Sequence, residues 1–207
     1  MITEIDPGRV RHNLEEVRAT AGPEVEILVA GKYVPVELIG ALGEAGVTLI
    51  GENRLGDLEA KVARWGDAFD WDFIGNLQSR KVRDVLPLVR LIHSVGSDSV
   101  ARKLAQYAAA DTEVLVQVNV ADEQGKGGVE PAELGEFIAA LEVSVVGLST
   151  MPPFSDDPEA SRPHFARLAE LAGEHRLERL SMGTSQDWRV AVEEGATTIR
   201  LGSALLR

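Results

Sequence analysis

Short apolar segments alternate with amphipathic segments along the whole chain, and this alternation restricts the fold more than any other feature. Each apolar segment is followed by a turn and then by helical periodicity. The predicted strands are VEILVAG (25–31), TLIGEN (48–53), WDFIG (71–75), LIHSVG (91–96), EVLVQVNV (113–120), VVGLSTM (145–151), LSMGT (180–184) and TTIRLG (197–202). Eight strands alternating with helices in 207 residues predict an α/β fold, a single (β/α)8 TIM barrel over residues 1–207.

Two observations refine this prediction. A doubly wound open sheet is the main alternative, but no predicted strand runs into a Gly-x-Gly-x-x-Gly or Walker A loop. Residues 1–22 lie outside the repeat, and Val10, Leu14 and Val17 share one helical face there. We therefore expect an extra N-terminal helix packed on the barrel.

Composition excludes several classes of function. A net charge of −12 argues against binding of nucleic acid or anionic lipid through a broad positively charged surface. Any anion would therefore need a local binding site. The absence of cysteine excludes disulfides and thiolate catalysis, and no His or Asp spacing indicates a metal site. Because the chain shows neither a secretion signal nor an apolar run of membrane-spanning length, we expect a cytoplasmic protein.

Polar residues collect at the predicted carboxyl ends of the strands. In a barrel these ends line one mouth, which is where ligands bind. The residues predicted there are Lys32, Glu52, Asn53, Gly75, Asn76, Asn119, Thr150, Met151, Gly183 to Ser185 and Arg200 to Ser203. The predicted mouth is therefore polar and includes one lysine at a strand end.

The loops after the seventh and eighth predicted strands, MGTSQD and RLGSA, are typical of a phosphate site. Thr184 and Ser185 offer hydroxyls, Gly202 lets the backbone approach an anion, and Ser203 adds a donor. The alternative is that Ser185 merely caps the following helix. Both loops occur in the expected places, which favours a phosphate.

Lys32 adds a reactive group to this mouth. A partly desolvated lysine is an amine nucleophile that forms an imine with an aldehyde. An aldehyde bearing a phosphate would use both features, and pyridoxal phosphate (PLP) is the commonest such cofactor. A strand-end lysine that extends to solvent is the ordinary alternative, but the ring of ligand-type residues around Lys32 favours imine chemistry.

Seven short motifs in register extend this interpretation: VAGKYVP, GEN, DFIGNLQSRK, VNVADEQGKGG, GLSTM, SMGTSQD and TTIRLGSAL. They resemble the motifs of the PLP homeostasis proteins, relatives of the alanine racemase N-terminal barrel. The resemblance spans the chain from about residue 10 onward and implies a barrel of PLP fold type III. It also implies the cofactor-binding residues, which are Lys32 as the Schiff-base lysine, Asn53 near the ring, Arg200 at the pyridine nitrogen, and Thr184, Ser185, Gly202 and Ser203 at the phosphate.

Three positions depart from the usual pattern of that family. Tyr33 stands where a small hydroxyl residue commonly follows the lysine, Asp72 where a histidine precedes FIG, and Arg54 where a tyrosine follows GEN. The implied cofactor set is intact, so these differences concern the rim of the site. We expect Asp72 to pair with a nearby cation such as Arg54.

The resemblance and the residues together indicate a carrier rather than an enzyme. An arginine at the pyridine nitrogen keeps it unprotonated and weakens the ring as an electron sink, and the related racemases take a second base from a C-terminal domain that this sequence does not show. We predict a cytoplasmic, monomeric protein of vitamin B6 homeostasis that holds PLP on Lys32 and transfers it to apo PLP-dependent enzymes, with no nucleic-acid or membrane partner and no catalytic or metal-binding residues.

Two alternatives remain open at this point: a weakly active PLP-dependent amino-acid racemase, and a barrel enzyme that uses Lys32 on a phosphorylated sugar. Lys126, in the glycine-rich segment DEQGKGG, either relays the aldehyde during release or is a solvated loop lysine. We expect His93 to have a packing or hydrogen-bonding role, and the acidic cluster DLEAK to form a solvated helix face.

Overall fold

A computed structural model describes residues 2–123 and 125–207 of the chain. The strands are β1 (Glu26–Ala30), β2 (Leu49–Glu52), β3 (Asp70–Phe73), β4 (Leu91–Val95), β5 (Glu113–Gln117), β6 (Ser144–Ser149), β7 (Arg179–Thr184) and β8 (Thr198–Leu201). The α-helices are α1 (Pro7–Ala21), α2 (Ile39–Glu44), α3 (Leu55–Trp65), α4 (Val82–Val85), α5 (Asp98–Tyr107), α6 (Leu134–Ala139), α7 (Arg162–Glu174), α8 (Trp188–Glu193) and α9 (Ser203–Leu206). All eight predicted strands are present, each within a few residues of its predicted bounds.

The eight strands form one closed parallel barrel in sequence order. Closure is made by β8 pairing with β1, with Leu28 opposite Arg200 and Val29 opposite Leu201. The register shifts on β7 between Ser181 and Thr184, just before the loop predicted to hold a phosphate. The predicted (β/α)8 barrel is therefore confirmed, and the ends of β1, β7 and β8 meet at one side of its mouth.

Helix α1 is the extra N-terminal helix expected from the sequence. The side chain of Asp6 caps it by accepting hydrogen bonds from the backbone amides of Gly8 and Arg9. Val10, Leu14 and Val17 are buried against the barrel, as their shared face predicts. The helix also contacts α9, because the side-chain amide of Asn13 donates to the carbonyl of Leu205 at 3.0 Å.

The barrel interior contains a chain of polar side chains where many such barrels have aliphatic layers. His93 on β4 reaches across to β7, with Nδ1 2.8 Å from the Ser181 hydroxyl, and its Nε2 lies 3.0 Å from Asp72. Arg90 donates to both oxygens of Asp72, and Arg200 donates to Ser181 at 3.4 Å. Arg200 at the mouth is thus connected through the interior to Arg90.

The pKa shifts of His93 and Asp72 determine the protonation states in this row of polar side chains. Burial lowers the pKa of His93 despite its hydrogen bond to Asp72, so the ring is neutral at neutral pH. Burial raises the pKa of Asp72, but hydrogen bonds from His93 and Arg90 outweigh this and leave the pKa below its ordinary value. The ionised carboxylate therefore accepts from His93 Nε2–H, and the Ser181 hydroxyl donates to Nδ1.

Two predictions about side chains are correct only in part: Asp72 does pair with a cation and Glu59 of DLEAK is exposed, but the cation is not the one named and the face is not wholly solvated. Asp72 pairs with Arg90 at 3.0 Å and with His93, not with Arg54, because β3 and β4 are neighbours whereas Arg54 is exposed beyond β2. The segment DLEAK is not a fully solvated face, since Leu58 and Lys61 are buried on α3. The predicted hydrogen-bonding role of His93 is confirmed.

Candidate ligand site at the barrel mouth

A cavity of about 720 Å³ opens at the mouth beside β1, β7 and β8. Its lining residues are Ile2, Ala30, Lys32, Tyr33, Asn53, Ile74, Met151, Thr184, Ser185, Gln186, Arg200, Gly202, Ser203, Leu206 and Arg207. All seven residues proposed from the sequence as ligand-binding lie on this wall. Among the described residues, this lining has three cationic side chains and no carboxylate side chain, so the cavity favours an anion although the whole chain carries a charge of −12.

Lys32 sits on a short 3-10 turn, Gly31–Tyr33, directly after β1. A second lysine, Lys61 on α3, stabilises this turn. Its ammonium donates to the carbonyl of Gly31 at 2.9 Å and also bonds the carboxylate of Glu52. A Cβ at position 31 would collide with that carboxylate, which explains the glycine before the lysine. The position of Lys32 is therefore set by a buried ion pair that was not predicted from the sequence.

The Glu52–Lys61 pair is enclosed by protein. Glu52 is completely buried and Lys61 is 4% exposed. Burial raises the pKa of Glu52, and the hydrogen bond from Lys61 offsets only part of that effect. Glu52 lies at the end of the predicted second strand, whereas the only sequence signal for Lys61 is its spacing of three residues from Leu58 on the inner face of α3.

The amine of Lys32 is accessible. Its side chain is exposed, in contrast to the partial desolvation expected from the sequence, because the turn projects it from the strand end into the open cavity. Its Nζ lies 4.7 Å from the centre of the Tyr33 ring, a cation–π contact. Tyr33, itself 62% exposed, therefore holds the ammonium at the rim.

The loops after β7 and β8 are joined by one hydroxyl oxygen. Ser185 Oγ accepts hydrogen bonds from the backbone amides of Gly202 at 3.0 Å and Ala204 at 3.1 Å, so it does not cap α8 as the alternative supposed. With both acceptor positions used, the Ser185 hydroxyl hydrogen is left to donate to a ligand. Ser203 is exposed beside it and lines the same cavity.

Thr184, Ser185, Gly202 and Ser203 form a cradle at the ends of β7 and β8, and Thr184 differs from the other three. Its backbone amide donates to Asp187 Oδ1 at 2.6 Å, and its hydroxyl donates to the same oxygen at 3.0 Å. Gly183 before it has φ +87°, and a Cβ there would meet Ala191 and Trp188 of α8, so only glycine fits this turn. Asp187, which no sequence motif singled out, orients Thr184 and leaves the hydroxyl oxygen of Thr184 free to accept a hydrogen bond.

Arg200 is the buried cation of the site. It is 8% exposed, and its two terminal nitrogens donate to the carbonyl of Thr150 at 2.6 Å and to Ser181 at 3.4 Å. Its Nε is buried without a hydrogen-bond partner in the described part of the chain. Burial lowers the pKa of Arg200 to about 10, with Asp187 opposing, so the group remains a cation at neutral pH. The Nε–H of Arg200 is therefore available to donate to an acceptor atom of a ligand.

Asn53 and Lys126 complete the set of predicted residues. Asn53 Oδ1 is buried and finds no partner among residues 2–123 and 125–207, so it can accept from a ligand. Lys126 forms an ion pair with Glu123 and does not line the mouth cavity. The relay hypothesis for Lys126 stays a prediction.

Neither a metal-binding cluster nor a membrane-spanning helix occurs within the described ranges. No group of three or more His, Cys, Asp or Glu residues is arranged to hold a metal ion there. No helix in the same ranges has the length and apolar character needed to cross a membrane.

The fold and the site define a class: a (β/α)8 barrel with a lysine after the first strand, a hydroxyl-lined cradle after the last two strands, and a buried arginine between them. A family described as "Alanine racemase, N-terminal domain" matches residues 5–206. A PLP homeostasis protein of Aquifex aeolicus is 41% identical over 194 residues, covering 87% of this chain and 85% of that protein. The chain belongs to the alanine racemase N-terminal domain family and, within it, to the PLP homeostasis proteins.

Solved structures agree with this assignment. PipY of Synechococcus elongatus PCC7942, determined with PLP bound, is 31% identical with a TM-score of 0.83, covering 96% of this chain and 100% of that one. The alanine racemase of Corynebacterium glutamicum shares the fold at 18% identity and a TM-score of 0.78, and this chain spans 61% of its length. The family predicted from the sequence motifs is thereby confirmed.

Proposed function

We propose that this protein binds PLP reversibly at the barrel mouth and serves in intracellular vitamin B6 homeostasis. One observation carries the proposal: an accessible lysine amine, a free buried arginine donor and a hydroxyl-lined cradle converge on one cavity. The PLP-bound structure of PipY, 31% identical over nearly all of the chain, supports the choice of ligand. PLP supplies an aldehyde that forms a reversible covalent bond with a primary amine.

The residues of the cavity fit the three parts of PLP. Lys32 offers the amine, Ser185 and Ser203 offer hydroxyl donors for the phosphate, and Gly202, which has no side chain, lets the phosphate approach the backbone. The unpaired Nε–H of Arg200 suits the ring nitrogen, which is an acceptor. Asn53 would lie beside the ring, and Thr184 would border the phosphate.

The chemistry of Arg200 favours holding the cofactor over using it. A guanidinium with a pKa of about 10 donates a hydrogen bond at neutral pH but does not give up its proton to a pyridine nitrogen. The ring nitrogen then stays unprotonated, which limits the stabilisation of carbanions on a substrate. We therefore infer a carrier role in the cytoplasm, as a monomer, with apo PLP-dependent enzymes as acceptors.

The visible absorbance spectrum tests this function directly. Purified protein mixed with PLP should show a new band in the visible region that borohydride abolishes. Lys32→Ala should lack the band, whereas Lys103→Ala, a lysine on α5 that lines no part of the cavity, should keep it. Protein that shows no band at saturating PLP would disprove covalent holding on Lys32.

The racemase alternative has its own test. Amino acids incubated with PLP-loaded protein in deuterium oxide should retain hydrogen at Cα if the protein only holds the cofactor. Incorporation of deuterium at a rate that Lys32→Ala abolishes would instead establish amino-acid turnover.

A further inference from the structure

A buried carboxylate, that of Asp187, lies behind the cradle. Asp187 is 3% exposed and is not among the described residues that line the mouth cavity. Its Oδ1 accepts hydrogen bonds from the backbone amide of Thr184 at 2.6 Å and from the Thr184 hydroxyl at 3.0 Å. Its Oδ2 accepts from the hydroxyl of Ser161 at 2.8 Å, and Ser161 is itself 2% exposed. The carboxylate is therefore satisfied by the protein and needs no ligand.

The two hydrogen bonds from Thr184 change what this residue offers to a phosphate. A phosphate is held by groups that donate hydrogen bonds, such as backbone amides and hydroxyls. Thr184 lines the cavity, but its amide hydrogen and its hydroxyl hydrogen both point to Asp187. The lone pairs of its hydroxyl oxygen remain, and these repel the oxygens of an ionised phosphate. Thr184 thus borders the phosphate position without strengthening phosphate binding.

The charge of Asp187 acts at the mouth as well. Burial lowers the pKa of Arg200 to about 10, and the negative charge of Asp187 opposes that shift. Charges inside a protein interact more strongly than charges in water, and salt screens them less. Thr184 and Arg200 line the same cavity, so an anion bound there is repelled by the carboxylate that stabilises the guanidinium.

The hydrogen bonds of Asp187 do not require its charge. In Asp187→Asn, Oδ1 could accept both hydrogen bonds from Thr184, and Nδ2 could donate to the Ser161 hydroxyl. Asparagine also caps helix N-termini about as well as aspartate does. The turn into α8 therefore needs an acceptor but not an anion, whereas a phosphate site is weakened by an anion behind it.

We propose that Asp187 limits the affinity of the cradle for phosphate, so that a phosphorylated ligand is held in a readily released form. Asp187 is a positioning residue in this role, because it acts by orienting Thr184 and through its charge. The role rests on the proposed PLP function for the identity of the ligand. It extends that function, since a carrier has to release what it binds.

Isothermal titration calorimetry with inorganic phosphate, on the full chain without PLP, tests the effect of the charge. Asp187→Asn keeps the size and the hydrogen bonds of the side chain, so it should bind phosphate about tenfold more tightly than the wild type. Asp156→Asn is the matched control, because it removes one negative charge from the exposed loop after β6, where solvent screens it. This control should bind phosphate like the wild type.

Circular dichroism should show that both variants are folded. Asp187→Ser, which also lacks the charge and keeps a capping oxygen, takes the place of Asp187→Asn if that variant is unfolded.

Titrations with PLP and with pyridoxal, followed by the visible band, locate the effect at the phosphate. Asp187→Asn should bind PLP about tenfold more tightly than the wild type does. Its affinity for pyridoxal, which lacks the phosphate, should be unchanged. A purely structural role for Asp187 predicts a different result, a loss of affinity for both ligands.

Three results would overturn the proposal: phosphate binding to Asp187→Asn that is no tighter than to the wild type, an equal gain for pyridoxal and PLP, or no phosphate binding to either protein at millimolar concentration. Failure of the PLP function is recognised separately, because phosphate forms no covalent bond with the Lys32 amine. A protein without the visible band would still show the difference in phosphate affinity.

Discussion

Lys32 and Lys61 show how position in the barrel decides what a lysine does. Lys61 is 4% exposed, is bonded to Glu52 and to the carbonyl of Gly31, and is not among the residues that line the mouth cavity. Lys32 lies on the turn that Lys61 supports and projects into the cavity. The buried lysine fixes the backbone, and the exposed one offers its amine.

Replacing the buried Lys61 should lower the free energy of unfolding. Lys61→Met leaves the completely buried carboxyl of Glu52 without its partner, so we expect a loss of about 3 kcal/mol in the free energy of unfolding, measured in urea. Lys126→Met is the control, since Lys126 also pairs with a glutamate but is 26% exposed, and it should lose less than about 1 kcal/mol. Equal losses in the two variants would contradict the buried character of the Glu52 pair.

His93 should make stability depend on pH. Its pKa is lowered in the folded protein from 6.5, so the unfolded chain binds a proton below pH 6.5 that the native state does not. Wild-type stability should therefore fall as the pH drops below 6.5, with a contribution of up to about 1.4 kcal/mol per pH unit from this group.

His93→Gln removes that contribution. Urea unfolding of both proteins between pH 5 and 7.5 should show the stability difference between wild type and variant shrinking toward acid. Asp72, whose pKa lies below 3.8, does not titrate in this window. A difference that is constant with pH would mean that His93 is protonated in both states or in neither.

At the scale of elements, α1 supports the candidate site from outside. It contacts α9, whose first residue is Ser203 of the cradle. Leu14 is 2% exposed in this packing. Leu14→Ala should lower the free energy of unfolding by about 3 kcal/mol, whereas Glu15→Ala, an exposed neighbour, should change it by less than about 0.5 kcal/mol. Chemical denaturation of the two variants measures both values, and a small loss for Leu14→Ala would show that α1 packs loosely.

The elements themselves were predictable because each carries its own signal. Apolar runs locate the strands, and helical periodicity with turn residues locates the helices, so the barrel follows from counting them. The strand ends then place Lys32, Asn53 and Arg200 around one mouth, since the carboxyl ends of parallel strands meet at one edge.

Pairings between distant elements were less predictable. Asp72 could be assigned to β3. Its pairing with Arg90, however, depends on the register between β3 and β4 and on the direction in which the Arg90 side chain points. The burial of Lys61 depends on which face of α3 meets β2. Local sequence does not contain either piece of information, because both arise from packing between elements.

At the scale of the whole molecule, ligand binding should be visible as stabilisation. PLP at 100 times its dissociation constant should raise the free energy of unfolding by about 2.7 kcal/mol. Pyridoxal, which lacks the phosphate, should stabilise less at equal concentration because it does not use Ser185, Gly202 and Ser203. Differential scanning calorimetry measures both shifts, and equal shifts would exclude a role for the cradle.

The exposure of Lys32 affects the lifetime of a bond formed at its amine more than it affects binding affinity. Water and incoming amines reach its side chain from solvent, so a bond made there can be hydrolysed or exchanged without any opening of the barrel. If Lys32 holds PLP as proposed, chemistry at the rim sets the lifetime of the loaded protein. The rate of PLP release would then depend more on the amines in solution than on motions of the barrel.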